Sequence, residues 1–329
     1  MGENFRIAMD FTAEQLRVFQ IFFPYAFGRQ MLMRSTGKRF VHYTTAEAAF
    51  SVIRNREVWM RKSAVMNDFS ETEHGLRCLA YAYNSENGQR FKALLDSLFP
   101  NLTTEVEEIF NSHIPHFRWE TYLTCMSEHE DGEDTLGRLS MWRAYAGTTG
   151  VAVVMNPMVF LTPSDALRAY SNPVAYLTPE QFKAEFDNIT DAIEKNADFV
   201  RSLGKDNVLA NVFAMLRSAV LCTKHPGFHE EREWRIIYSP TYEQSDRIEK
   251  AFVTVGGTPQ TICKIPLLDV PEEDLIGASV PLLVNRIIIG PSHYGAAMQE
   301  AFVGLLDEAG VKDAASKVWV SDIPLRVGA

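Results

Sequence analysis

The residues best equipped for chemistry lie in one short stretch, Lys224-His225-Pro226-Gly227-Phe228-His229-Glu230-Glu231-Arg232-Glu233-Trp234-Arg235. On an extended strand alternate side chains share a face, so Glu231, Glu233 and Arg235 point one way while Trp234 and Ile236 point the other. Such a strand is either half exposed or lines a polar cleft. Two other segments combine polar and aromatic residues beside expected strands. One is Val41-His42-Tyr43-Thr44, followed downstream by Asn67-Asp68-Phe69-Ser70-Glu71; the other is Ser140-Met141-Trp142-Arg143-Ala144-Tyr145.

Each of these residues also has a purely structural use. His42 can cap the next helix or satisfy a core hydrogen bond. Trp142 and Tyr145, at i and i+3, can simply fill a core. Glu231 and Arg235 can form an ion-pair ladder, and Asp68 with Glu71 fits a helix N-terminus. No metal is expected. His225-x-x-x-His229 is interrupted by Pro226 and Gly227, which forbid the helix that would align the two rings, and His113-x-x-His116 contains Pro115. The cysteines, Cys78, Cys125, Cys222 and Cys263, form no close pair and sit among mostly apolar neighbours, as reduced buried thiols do.

These segments must be held by a large core, and the composition supplies one. Of 329 residues, 46% are hydrophobic and 22% charged, with a net charge of −10, the balance of a globular chain. That charge argues against a protein that coats nucleic acid by bulk electrostatics. Arg54, Arg56, Arg61 and Lys62 form a local basic cluster that reads as a solvated face. The polar start, Met1-Gly2-Glu3-Asn4-Phe5-Arg6, does not resemble a signal peptide, and no run approaches the ~20 apolar residues of a membrane span. A soluble, cytoplasmic protein with no membrane partner is expected.

Periodicity supplies the elements. Thr12 and Gln15 have capping-box spacing before a helix over 12–23 that Pro24 should end or kink. Residues 1–37 then form an aromatic helical arm, and 38–329 a single α+β domain. A strand at Arg39–Tyr43 precedes a helix capped by Thr44 with Glu47. Helical insertions are expected at about 70–115, broken near Asn84 and at Pro100-Asn101, and at 178–223. Strands are expected at 58–60, 119–126, 150–155, 174–176, 233–238, 251–255, 261–265, 286–289 and 317–320, and helices at 135–146 and 295–309. Gly256-Gly257 reads as an ordinary turn. The fold class is α+β, with a mixed sheet open to a split and large helical insertions.

The order HYT, NDxxE, WxxYA before a glycine-led strand, KH…ExEWR, RIIIGP and SDIPLR resembles the bacterial proteins grouped as domain-of-unknown-function family 2971, from about Phe40 to Arg326. The NDFSE segment departs from it, since that family often has proline after the aspartate. The same residues also resemble the His-Tyr-Glu arrangement of ADP-ribosyltransferases, in which NAD lies in the cleft of a split mixed sheet. That second resemblance implies NAD as the substrate. His42 would hold a ribose hydroxyl, Tyr43 or Tyr145 would stack on nicotinamide, and Thr44, Trp142 and Arg235 would complete the binding set. Glu233 would be the catalytic carboxylate and Glu231 would face the acceptor. Cleavage of the nicotinamide–ribose bond passes through an oxocarbenium-like state that a carboxylate stabilises. It further implies a macromolecular acceptor, protein or nucleic acid, and a toxin or antiphage role with an antitoxin or defence partner. A non-catalytic sensor or scaffold that binds a nucleotide or partner in the same cleft is the alternative reading.

Overall fold

The computed structural model describes residues 11–65, 70–145 and 147–324. Asn67, Asp68 and Phe69, Leu325 and Arg326, and Phe5 of the arm lie outside them. The elements in chain order are α1 (Ala13–Phe22), α2 (Pro24–Thr36), β1 (Arg39–Thr45), α3 (Ala46–Asn55), β2 (Glu57–Lys62), α4 (Ser70–Tyr83), α5 (Glu86–Leu98), α6 (Leu102–Trp119), β3 (Tyr122–His129), α7 (Leu139–Tyr145), β4 (Gly150–Met155), α8 (Met158–Leu161), β5 (Ala169–Pro173) and β6 (Ala175–Tyr176). There follow α9 (Pro179–Lys195), α10 (Ala197–Ser202), α11 (Lys205–Leu221), β7 (Thr223–Lys224), β8 (Glu233–Tyr238), β9 (Glu249–Val255), β10 (Thr258–Pro266), α12 (Val280–Leu283), β11 (Val284–Ile289), α13 (Gly295–Glu308) and β12 (Val318–Val320). The α+β class holds.

The main sheet runs β12-β11-β4-β1-β3-β2-β10-β9, with β8 on β3 and β5 on β8. Its central feature is a fork on β3. β8 pairs along one edge from Tyr122 to Ser127. The opposite edge carries β1 at Ser127–His129 and β2 at Tyr122 and Leu123. Between them, Thr124 to Met126 have no strand neighbour on that edge, and this is where the sheet splits. Alternation fixes its two faces. Phe40, Met126, Trp234, Val153 and Ile287 share one core with Phe302 of α13. Val41, Tyr43, Ala152, Val154 and Ile288 share the other with Met141 and Trp142 of α7.

The two helical insertions form one lobe. Phe91, Leu102, Val106 and Phe117 from the first and Phe186, Ile193, Val212 and Leu216 from the second bury a common core. At Gly75 the backbones of α4 and α11 approach so closely that a Cβ would lie 2.2 Å from the Val220 carbonyl oxygen. The N-terminal arm is built into this lobe: Ile21 and Phe22 belong to its core, and Arg29 of α2 pairs with the buried Glu128 of β3.

Local chemistry explains most boundaries, the end of α1 before Pro24 among them, with three departures. The Thr12–Gln15 capping box is present, and Pro24 begins a second helix at its first position instead of continuing the first. Thr45, not Thr44, caps α3 by accepting from the Ala48 N–H, because β1 runs on against β4 as far as Gly150. α6 continues through Pro115 to Trp119, anchored by buried Phe117, so β3 begins three residues later than expected. β5 was not expected; it supplies β8 with a second edge partner.

Candidate functional site

Two sites emerge, one on a single face of the sheet and one whose lining reaches both faces. The first is a charged cluster where β8 begins. Residues 226–231 form a 3₁₀ turn that ends at Arg232 in the left-handed region, φ 45°. Glu231 therefore precedes the strand, and strand alternation does not place it. It nevertheless reaches the cluster through Lys224, whose Nζ lies 2.6 Å from Glu231 Oε2 and 3.2 Å from Glu233 Oε2. Arg235 closes the other side, with Nε 2.8 Å from Glu233 Oε1 and one terminal nitrogen 2.5 Å from the Leu221 carbonyl oxygen. The Glu233 backbone N–H donates to the Tyr176 hydroxyl at 2.8 Å.

The electrostatics follow from burial and count. Glu233, Arg235 and Lys224 are all buried. Burial pushes the Glu233 carboxyl up, but Arg235 and Lys224 together outweigh it and hold the group well below the usual carboxylate range. Glu231 is half-buried, and there burial wins: its carboxyl is pushed up despite Lys224. The Tyr145 hydroxyl donates to Glu231 Oε1 at 3.1 Å, and burial, followed by that carboxylate, raises its pKa. Two carboxylates and two cations thus form a closed, charge-balanced set in which most lone pairs have internal donors.

The second site is a cavity of about 720 Å³ that extends along the fork, within the ~300–1,000 Å³ of small-molecule sites. His42, Thr124, Cys125 and Met126 line the split itself, and Phe213 and Arg217 of α11 line its far wall. His42 Nδ1 lies 2.8 Å from the Cys125 carbonyl oxygen, a bond that replaces the missing strand neighbour of β3. A carbonyl accepts only, so the proton sits on Nδ1 and the neutral ring keeps its lone pair on Nε2. Burial lowers the His42 pKa more than the carbonyl raises it, so the ring is neutral at pH 7.

The sequence-derived site is divided by the sheet. Val41, Ser127 and Glu233 lie in one cross-strand row and share a face, whereas His42 alternates onto the face of Phe40 and Trp234, whose rings meet edge-on at 5.1 Å. His42 and Glu233 are therefore not brought together. Tyr43 is buried, its hydroxyl accepting from the Arg138 backbone N–H at 2.8 Å, with its pKa pushed up to about 12 by burial. Its ring meets Trp142 at 4.8 Å. Trp142 is sealed in by Gly137 and Gly290, where a Cβ would approach the indole to 2.5 and 2.9 Å, and its Nε1 donates to the Leu136 carbonyl. Neither ring is free to stack on a ligand. Thr44 sits opposite Val151 in the β1–β4 ladder. Glu231, Glu233, Arg235 and Tyr145 do converge, together with Lys224 and Tyr176.

Arg217 was the residue sequence reasoning missed. It is the single charge in Val212–Leu221, a run otherwise apolar apart from Ser218, and that isolation was the available signal. Its guanidinium lies over the Tyr242 ring, 4.9 Å from the centroid, and burial lowers its pKa.

A forked mixed sheet, a helical lobe and an interior cavity define an α+β protein with a split sheet. Residues 141–236 match the model of a family described as a protein of unknown function, DUF2971. That stretch runs from α7 through β8, and over it the family resemblance read from the ordered motifs is borne out. No curated protein and no solved structure matches the chain. Among the described residues, no helix is long and apolar enough to cross a membrane.

Proposed function

We propose that this chain is a non-catalytic sensor or scaffold that binds a small organic molecule in the cavity of the forked sheet. The observation carrying this reading is the separation of His42 from Glu233 by the sheet, with the Glu233 carboxylate engaged by Arg235 and Lys224. A carboxylate held by two buried cations is a weak stabiliser of a developing oxocarbenium ion, because its charge is already balanced. The cavity, by contrast, offers apolar walls with a few polar groups, the usual make-up of a ligand site. A defence or toxin–antitoxin setting, with a partner protein reading the ligand-bound state, is compatible with such a role.

The test is transfer from labelled NAD. Purified protein incubated with a cell lysate and NAD carrying label on its ADP-ribose is expected to leave no label on protein or nucleic acid. Label that appears with the parent chain and disappears with Glu233→Gln would refute the non-catalytic reading. One feature supports a transferase as the second reading: Glu231 is only half-buried, with a raised carboxyl beside Tyr145. In that case NAD is the substrate, and Glu231→Gln, not Glu233→Gln, abolishes labelling.

A further inference from the structure

Arg217 presents a physical anomaly. A guanidinium keeps its charge at any accessible pH, so burying one without a partner is costly. Among the described residues, Arg217 makes no hydrogen bond and no ion pair; its contact is the face of Tyr242. A cation over an aromatic ring recovers only part of the lost hydration. None of its nitrogens is among the sealed, unpartnered polar atoms of the molecule, and the residue lines the cavity. The charge is therefore directed into the cavity space.

The neighbouring carboxylates are committed elsewhere. The Tyr170 hydroxyl lies 3.0 Å from Asp165 Oδ1 and 2.8 Å from Glu243 Oε2, tying both to the cavity rim. Arg168, the other cation lining the cavity, is already beside Asp165 at 3.7 Å. One available positive charge with two carboxylates at the rim matches a single negative charge better than two. The remaining wall is mostly apolar, including Phe19, Phe23 and Phe213, and extends toward the fork. The ring of His42, in the tautomer its Cys125 bond requires, offers that end of the cavity an acceptor.

We propose that the cavity ligand is an amphipathic monoanion, an alkyl or aryl carboxylate, with its acidic head on Arg217 and its apolar body running along α11 toward the fork. This deepens the small-molecule reading above and rests on it.

The experiment is calorimetric titration of the full-length protein with decanoate, decanol and decyl phosphate, repeated with Arg217→Met and Arg217→Lys. Decanoate is expected to bind at least tenfold more tightly than decanol to the parent chain. Arg217→Met should erase that preference while leaving decanol affinity unchanged, and Arg217→Lys should retain part of it. Unliganded Arg217→Met should also unfold at a temperature no lower than the parent, since it removes a half-buried charge that no ion pair among the described residues balances. Equal affinity for decanoate and decanol overturns the charge assignment but leaves the small-molecule reading standing. Decyl phosphate binding more tightly than decanoate overturns the carboxylate assignment in favour of a phosphate head. Failure of all three to bind overturns both the inference and the cavity reading. Arg217→Met unfolding well below the parent would mark Arg217 as structural.

Discussion

The two buried polar regions of this protein differ in how their charges are satisfied. At the start of β8, Lys224 and Arg235 enclose Glu233, each group is within hydrogen-bond reach of an opposite charge, and the set is neutral. In the fork cavity, Arg217 has an aromatic face and no counter-ion among the described residues, and His42 is neutral with one ring nitrogen unused by its carbonyl bond. A closed network is what a fold needs to hold β7, β8 and the end of α11 together. An open one is what a ligand needs. Clusters of charged residues draw the eye in a sequence, but the chemically available groups here are the isolated ones.

That contrast can be broken by substitution. Glu233→Ala should cause the largest loss, about 3–5 kcal/mol, because it leaves two buried cations facing each other without their shared carboxylate. Chemical denaturation of the variant measures it, and a loss under 1 kcal/mol would mean the cluster is not structural. Trp234→Ala, on the opposite face, should cost a similar ~3–5 kcal/mol through the cavity it leaves beside Phe40. It also removes the indole N–H donated to Glu128 at 3.0 Å. Phe in its place should restore part of the packing but not the hydrogen bond.

The smallest expected effect is the pH dependence of the fork. His42 and His129 both have pKa values lowered by burial. The unfolded chain therefore takes up protons near pH 6.5 that the folded chain does not. The stability these rings contribute is fully present above pH 6.5 and is lost as pH falls from there toward their folded pKa values. Glu233 acts at lower pH with the same sign, its contribution present above the ordinary glutamate pKa and lost only as pH falls further. Denaturation midpoints between pH 7.5 and 5.5 should thus decline, and His42→Gln should remove part of the decline while leaving the His129 part. An unchanged slope in His42→Gln would place the His42 ring in solvent.

Much of the fold was legible because local rules dominated. The capping box at Thr12–Gln15 fixes one helix start, and the insertions break near Asn84 and Pro100 as composition suggested. Glu233–Tyr238 carries its strand pattern plainly. The misses are places where tertiary packing overrode local preference. Pro115 lies inside α6 because Phe117 is anchored in the lobe core, and Ala169–Pro173, weakly patterned, becomes a strand because β8 had a free edge. The site was half legible. Alternation within β1 and within β8 correctly assigns each residue to a face of its own strand. Whether His42 and Glu233 share a face depends on β3, which lies between them and sets their relative register. Neither strand's pattern contains that information.

The central claim is that ligand binds in the fork and not at the β8 cluster. Amide hydrogen exchange resolved to short peptides tests it directly, with saturating decanoate and, separately, saturating NAD. Decanoate is expected to protect peptides covering Thr124–Met126 and Phe213–Ser218 while leaving Lys224–Arg235 unchanged, and NAD is expected to protect neither. Protection by NAD across Lys224–Arg235, with the fork unaffected, would contradict the account.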